Sequence, residues 1–354
     1  MKKALKIVLI ILGVVVVAVG GLLAYLSITE YRPDETETVG VQVSGESETP
    51  GESISILSWN IGYCGLGERA DFVLDGGKGD GRPESREEFL GYYNGVLDTL
   101  TSLQPDIFLL QEVDENSRRS YGLNESEALP QSLSQYSSVL ALNYSCDFVP
   151  FPWPPIGRVN GGILTMTDYA VQGGESERIS LPCPFSWPLR TANLKRCLLV
   201  SRIVLPDTDK ELVMVNLHLE AYDDGEGKAA QTAMLMDFIE SEYAKGNYVI
   251  AGGDFNQTFP GGLDAFPMQS PDLWAPGTLS AEDLPEGFTF AYDTTTPSCR
   301  SLDRPLDAAD PDFQYYLIDG FILSPNVTME SVETQDLGFR WSDHNPVLLR
   351  VTLA

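Results

Sequence analysis

The chain holds only two histidines, and each stands where a run of apolar residues gives way to polar ones. His218 closes Val215-Asn216-Leu217-His218-Leu219, and His344 lies in Trp341-Ser342-Asp343-His344-Asn345-Pro346. Four more apolar runs end in the same manner: residues 56–59 deliver Asn60, residues 107–111 deliver Glu112, residues 248–253 deliver Asp254 and Asn256, and residues 317–318 deliver Asp319. A single histidine at a strand end is ordinarily structural, and isolated turn caps would explain any one of the other groups. Together they point to a site, because carboxylates beside buried runs are costly unless paired or metal-bound. Imidazole suits proton transfer near neutral pH, and carboxylates and carboxamides offer the oxygen donors that hard divalent cations prefer.

Bringing such groups together requires a sheet framework. Short β-rich runs bounded by turn signals fall at residues 54–59, 107–110, 139–142, 162–166, 198–204, 212–219, 248–251, 316–323 and 347–353. Residues 85–103 predict an amphipathic helix between the first two runs, with Ser85 and Glu88 in a capping-box pattern and Phe89, Tyr92, Tyr93, Val96, Leu97 and Leu100 at helical spacing. A second helix over residues 228–243 separates two later strands and implies a crossover. Residues 257–314, rich in Pro, Gly, Asp and Thr, read as a long surface excursion. No internal repeat is evident, so residues 53–354 are expected to form one globular domain.

On these residues the sequence resembles the endonuclease/exonuclease/phosphatase superfamily, motif by motif and in order. Trp59-Asn60 is similar to its first-strand asparagine motif, Gln111-Glu112 to its metal-binding glutamate, and Asn216-Leu217-His218-Leu219 to its asparagine-x-histidine-leucine motif. Gly253-Asp254-Phe255-Asn256, Ile318-Asp319 and Ser342-Asp343-His344-x-Pro346-Val347 match the remaining three, and the resemblance runs from about Ile54 to Leu353. It implies an α/β (α+β) fold, a four-layer sandwich of two mixed β-sheets flanked by helices.

The resemblance also implies a metal-dependent phosphoester hydrolase, with in-line attack by water activated by a His-Asp pair. Glu112 would hold Mg²⁺ or Mn²⁺ with Asn60 and Asp343 nearby. His344 would act as general base or stabilise phosphoryl charge, with Asp319 fixing its tautomer. Asp254 would orient the attacking water. Asn256, Asn60 and His218 would bind the substrate phosphate, His218 alternatively donating to the leaving group. Gly62 follows Asn60 where apurinic endonucleases carry an acidic residue, and His218 is shared instead with the deoxyribonuclease, sphingomyelinase and phosphatase branches. A DNA-repair role is therefore not expected.

The ends of the chain set its surroundings. Lys2, Lys3 and Lys6 precede residues 7–26, an uncharged run long enough to span a bilayer. Residues 1–28 are read as a cytoplasmic basic tip and signal anchor, a single pass at the cell membrane with the catalytic domain outside. A cleaved secretory signal, with Ala18-Val19-Gly20 as its cleavage site, is the alternative. Residues 29–52, rich in Glu, Thr, Ser and Gly, are expected to be a disordered acidic tether.

The net charge of −28 disfavours long-range attraction to polyanions. It favours lipid headgroups or small phosphoesters over an extracellular nuclease cleaving DNA or RNA, which is the second reading. A non-catalytic binding module on the same fold would have lost a metal or proton-transfer residue, and none is missing. No protein partner is inferable. Cys64, Cys146, Cys183, Cys197 and Cys299 lack paired C-x-x-C spacing, which argues against structural zinc. Residues 149–155, aromatic and proline-rich, read as a rigid surface loop, or else as a lip over the site or a lipid contact. Arg190, Lys195 and Arg196 form the nearest approach to a basic cluster, as solvated strand-edge charges or as a phosphate contact.

Overall fold

The computed structural model describes residues 2–206, 208–223 and 225–354. Helix α1 (Lys2–Ile28) leads into strands β1 (Thr36–Gly40), β2 (Ser53–Asn60), β3 (Ile107–Asp114), β4 (Ser137–Val149), β5 (Gly157–Thr167), β6 (Glu175–Ser180), β7 (Cys197–Val204), β8 (Glu211–His218) and β9 (Tyr248–Asp254). Helices α2 (Arg86–Leu103), α3 (Glu125–Ser132) and α4 (Glu226–Ala244) lie between them. Four later strands, Thr289–Ala291, Asp319–Leu323, Val327–Thr334 and Val347–Leu353, complete two sheets.

One sheet runs β1-β6-β7-β8-β9, then Asp319–Leu323 and Thr289–Ala291; the other runs Val327–Thr334, Val347–Leu353, then β2-β3-β5-β4. Each is built around one parallel pair, β2 with β3 and β8 with β9. Parallel neighbours need a crossover, supplied by α2 and α4. Ile54, Ile56, Ile107, Leu109, Met214, Ile250, Phe321 and Leu349 interdigitate between the sheets. On the outer faces α2 covers Leu57, Trp59, Phe108 and Leu110, and α4 covers Val213, Val215, Val249 and Ala251. The result is the expected four-layer sandwich. Because both faces of the central strands are buried, they read in sequence as continuous apolar runs.

Local chemistry sets the helix starts. The Ser85 hydroxyl accepts the Glu88 N–H at 3.1 Å, while the Glu88 carboxylate turns to the N–H of Glu84 at 2.8 Å, so the expected capping box closes on its neighbour. At α4 the Asp223 carboxylate accepts the N–H groups of Gly225, Gly227 and Lys228, which places a negative charge on the first turn.

The tether reading of residues 29–52 is corrected. β1 pairs antiparallel with β6 from Thr36↔Ile179 to Gly40↔Glu175, and Gln42 bridges to Ser138. Glu30 sits among Arg32, Arg190 and Lys195 at 2.9, 3.2 and 3.5 Å. Leu26 of α1 packs with Tyr144, Val149 and Val159. An edge strand uses backbone groups that any extended segment can satisfy, so the order here needs no apolar face in the sequence. β6 and Val327–Thr334 escaped the periodicity reading for a related reason: both carry polar residues along an exposed side. Residues 257–314 are largely irregular, as expected, with only short paired segments such as Thr289–Ala291. Among the described residues the five cysteines are unpaired, Cys183 alone being exposed.

Candidate active site

The polar ends of β2, β3, β8 and β9 and the start of Asp319–Leu323 converge at one end of the sandwich. Gly253 makes this possible in the β8/β9 sheet. Its φ is +151°, and a Cβ there would lie 2.0 Å from the Leu217 carbonyl oxygen, so only glycine lets β9 close on β8 with His218 opposite Asp254. In the other sheet the β3/β5 register skips between Leu110 and Val113. Glu112 lies inside this bulge with φ +53°, and bulges of this kind re-aim a side chain. Asn256 has φ +51°. Non-glycine residues in this region are strained and cluster at functional sites.

Asn60 ties the sheets' ends together. Its amide nitrogen donates to Glu112 Oε1 at 3.2 Å and Asp254 Oδ2 at 3.0 Å, and its Oδ1 accepts the Gly62 N–H. Asp254 Oδ1 accepts the Asn256 N–H, and the Asn256 amide donates to the Leu219 carbonyl. His218 Nε2 lies 3.4 Å from Asp254 Oδ2 and 4.0 Å from Glu112 Oε1. His344 Nδ1 lies 2.8 Å from Asp319 Oδ2, which leaves Nε2 3.8 Å from Asp254 Oδ2. Glu112, His218, Asp254, Asn256, Asp343 and His344 line one cleft of about 500 Å³. Asn60 and Asp319 stand behind that surface, in hydrogen-bond contact with residues that line it.

The environment separates the two imidazoles. Burial holds His218 well below the ordinary histidine value, with Arg196 and His344 pushing in the same direction. Burial also opposes a charge on His344, yet the carboxylates of Asp319 and Asp254 hold it well above that value. Burial pushes Asp254 up to about 7, with the Asp319 charge adding to it and His344 opposing. The surroundings therefore disfavour a charge on His218 and favour one on His344.

Some functional groups were not legible as such. Ser298, in the irregular 257–314 segment, donates its hydroxyl to Asp319 Oδ2 at 2.7 Å and accepts the Asp319 N–H. Trp59 donates its indole N–H to the His344 carbonyl. Arg119 grips Asp114 with two hydrogen bonds and lies 3.6 Å over the Tyr63 ring at the cleft wall. Arg196, foreseen only as part of a basic cluster, is 3% exposed on the cleft wall. Its Nε and Nη1 make no hydrogen bond among the described residues, and its nearest carboxylate, Glu220, is 3.8 Å away. Arg190 and Lys195 are instead spent on Glu30.

The residues present fit a hard divalent cation. Asp343 is pushed up to about 6, first by burial and then by Glu112, with His344 and Arg300 opposing. Glu112 remains 23% exposed, and one of its oxygens takes no hydrogen bond among the described residues. Two like charges facing a cleft are the electrostatic demand that a divalent ion meets. Tighter groupings of ligand atoms, Cys299-Asp343-His344 and Asp254-Asp319-His344, fit less well. Burial lifts the Cys299 thiol to about 12, and Asp319 already occupies His344 Nδ1. Glu112 and Asp343 are the carboxylates that could offer oxygens to such an ion.

The sequence model of the Endonuclease/Exonuclease/phosphatase family matches residues 57–344. No curated protein matches the chain. Among solved structures, an endonuclease/exonuclease/phosphatase from Beutenbergia cavernae is 16% identical, covering 86% of this chain and 72% of its own, with TM-score 0.56. One from Bacteroides vulgatus is 18% identical, covering 86% of this chain and 100% of its own, with TM-score 0.55. ANGEL2, a 2',3'-cyclic phosphatase solved with adenosine-2',3'-vanadate, is 15% identical, covering 91% and 99%, with TM-score 0.53. At these identities the likeness is one of fold.

Proposed function

The chain belongs to the endonuclease/exonuclease/phosphatase family, whose members are phosphoester hydrolases, and from that premise we propose that it hydrolyses phosphoesters with a divalent cation outside the cytoplasmic membrane. The observation that carries the reading is the convergence of Glu112, His218, Asp254, Asn256, Asp343 and His344 on one cleft.

Glu112 and Asp343 would hold Mg²⁺ or Mn²⁺, which supplies charge neutralisation at the phosphoryl oxygens. Asn60 fixes the Glu112 and Asp254 carboxylates. Arg196, neutral His218 and Asn256 bind the phosphate, His218 donating through Nε2. Asp254, lifted toward neutrality, orients water and takes its proton. Asp319 and Ser298 fix the His344 ring. The positive charge favoured on His344 suits it to stabilise phosphoryl charge, in preference to the general-base role. The water oxygen joins phosphorus, one P–O ester bond breaks, and the proton that Asp254 took from water is balanced by the one the departing alkoxide gains.

Helix α1 is long and apolar enough to cross a membrane. Its docking through Leu26 supports an anchor over a cleaved signal, and the lysines before residue 7 favour a cytoplasmic N-terminus. The net charge of −28 favours small or lipid phosphoesters over nucleic acid.

The test uses the full chain in detergent on a panel of soluble phosphomonoesters, phosphodiesters, nucleotides and DNA, with Mg²⁺, Mn²⁺ or chelator, beside His344→Ala. Metal-dependent turnover that falls on the order of 10²–10⁴-fold in the variant is expected. Turnover that survives both chelator and the substitution overturns the reading.

A further inference from the structure

The cleft has a second half that the chemistry does not use. From His344 and Glu112 it continues between apolar walls, and two of the wall residues, Leu23 and Leu26, belong to helix α1. Phe151 and Leu189 line the same stretch, together with Val149 and Ile156, which pack with Leu26. A helix of the bilayer-spanning kind therefore contributes directly to the catalytic cleft.

The position of that wall along the helix follows from its geometry. At about 1.5 Å per residue, residues 7–26 extend about 30 Å, the thickness of a bilayer's hydrocarbon core. Leu23 and Leu26 thus lie at the hydrocarbon edge on the side of the folded domain. Two hydrogen bonds hold the domain at this level: Tyr25 OH donates to Asp147 Oδ2 at 3.0 Å, and the Trp187 indole N–H donates to Ser27 Oγ at 3.0 Å. Around this point large apolar side chains face outward, with Phe151 57%, Trp153 89%, Trp187 55% and Leu189 65% exposed. Aromatic residues in such a ring belong at the bilayer interface. The Arg196 guanidinium lines the same cleft as His218 and Asn256, its Nε and Nη1 without a hydrogen bond among the described residues and Glu220 3.8 Å away.

We infer that α1 is one wall of the substrate site as well as an anchor, and that a phospholipid enters laterally from the adjoining leaflet along the apolar stretch lined by Leu23, Leu26, Phe151 and Leu189. Its phosphate would sit at Arg196, His218 and Asn256, and the nearer part of an acyl chain would lie along the apolar walls without leaving the bilayer. Such a route lets a lipid present its phosphoester without transfer of its chains through water. The inference rests on the phosphoester-hydrolase reading and narrows it to a substrate class.

The experiment places the full chain in nanodiscs of phosphatidylcholine and phosphatidylglycerol containing Mg²⁺. One arm includes phosphatidylcholine with a photoactivatable diazirine near the glycerol end of its acyl chain; crosslinks are mapped by mass spectrometry. The other arm compares turnover of the nanodisc lipids with that of a soluble phosphodiester, in the parent chain and in Phe151→Asp and Ile156→Trp. Expected are crosslinks to residues 20–28 and 149–156, and a fall of at least about tenfold in the ratio of lipid to soluble-ester turnover in both variants. Crosslinks confined to the outer face of α1 overturn the inference, as does soluble-ester hydrolysis with intact lipids. Loss of all turnover with crosslinks in the cleft overturns the hydrolase reading instead and leaves the lipid route standing.

Discussion

Gln111 and Asn216 join the two sheets through one buried hydrogen bond, the Gln111 amide donating to Asn216 Oδ1 at 2.8 Å. Asn216 in turn donates to the carbonyls of Leu110 and Leu164 at 3.2 and 3.1 Å, and both side chains are fully buried. Glu112 follows Gln111 and His218 lies two residues beyond Asn216, so this contact sets how the two sheets' catalytic ends face each other. Gln111→Leu is expected to destabilise the chain by about 1–3 kcal/mol, because it leaves the Asn216 carbonyl unsatisfied. The double variant Gln111→Leu/Asn216→Leu should cost less than the sum of the singles in denaturant titrations. Strict additivity would show that the two amides are not coupled.

Asp319→Asn tests the imidazole pair. The change keeps a side chain of the same shape but removes the charge that favours imidazolium on His344. Turnover is expected to fall by about 10²–10⁴-fold, with a smaller loss for Ser298→Ala, which removes one hydrogen bond to Asp319. Equal losses in the two variants would contradict this ranking.

Removal of the metal should stop catalysis and lower thermal stability together. Chelator is expected to abolish turnover, and Mg²⁺ or Mn²⁺ to restore it. Metal should also raise Tm as its concentration passes Kd, since an ion that binds only the folded chain stabilises it by mass action. Glu112→Gln should move that Tm response to metal concentrations about tenfold higher or more. An unshifted response would place the ion elsewhere.

Arg196→Gln removes a buried guanidinium two of whose nitrogens make no hydrogen bond among the described residues. Loss of a charged hydrogen bond of about 1.5–3 kcal/mol predicts a fall of roughly 10–100-fold in kcat/KM. His218 should gain a proton at higher pH in the variant, because Arg196 is one cause of its depressed value. Imidazole titration by NMR, on the metal-loaded chain, would show no shift if the guanidinium points away.

Acid stability has a separate source, remote from the site. Burial pushes the Glu242 carboxyl up, but hydrogen bonds and charge from Arg202 and Lys245 bring it from its ordinary 4.5 to about 2. The folded value lies below the unfolded one, so the stabilisation is complete above about pH 4.5 and is lost as pH falls toward 2. Glu242→Gln should be less stable at neutral pH and show a flatter decline across that window. A decline as steep as the parent's in denaturant titrations between pH 5 and 2 would assign the acid sensitivity to other carboxylates.

The motif-bearing strands and both crossover helices were legible because apolar side chains buried on both faces leave unbroken hydrophobic runs, each ending at a polar residue such as Asn60 or His218. What stayed hidden depends on contacts that sequence spacing does not encode. Ser298 comes from an irregular segment and reaches Asp319 only once residues 257–314 fold back over the sheet edge. Arg196 looks like one of three neighbouring basic residues until Glu30 claims the other two. β1 is polar and short, and its place is set by the free edge of β6 rather than by any pattern of its own. The joining of α1 to the cleft is likewise a tertiary fact, since Leu26 reads in sequence only as one more residue of an apolar run.

Glu112 and Asn256 are both held with positive φ, at +53° and +51°, by ladders that continue on either side of them. Glycine at either position would relax the backbone, with a gain of roughly 1 kcal/mol or less where the side chain contributes nothing else. At Asn256 the side chain's buried hydrogen bond to the Leu219 carbonyl works against that exchange, whereas at Glu112 the carboxylate also opposes the charge of Asp343. At Glu112, then, durability and competence pull in opposite directions, and a chain that carries the carboxylate there keeps it at the expense of its own melting point.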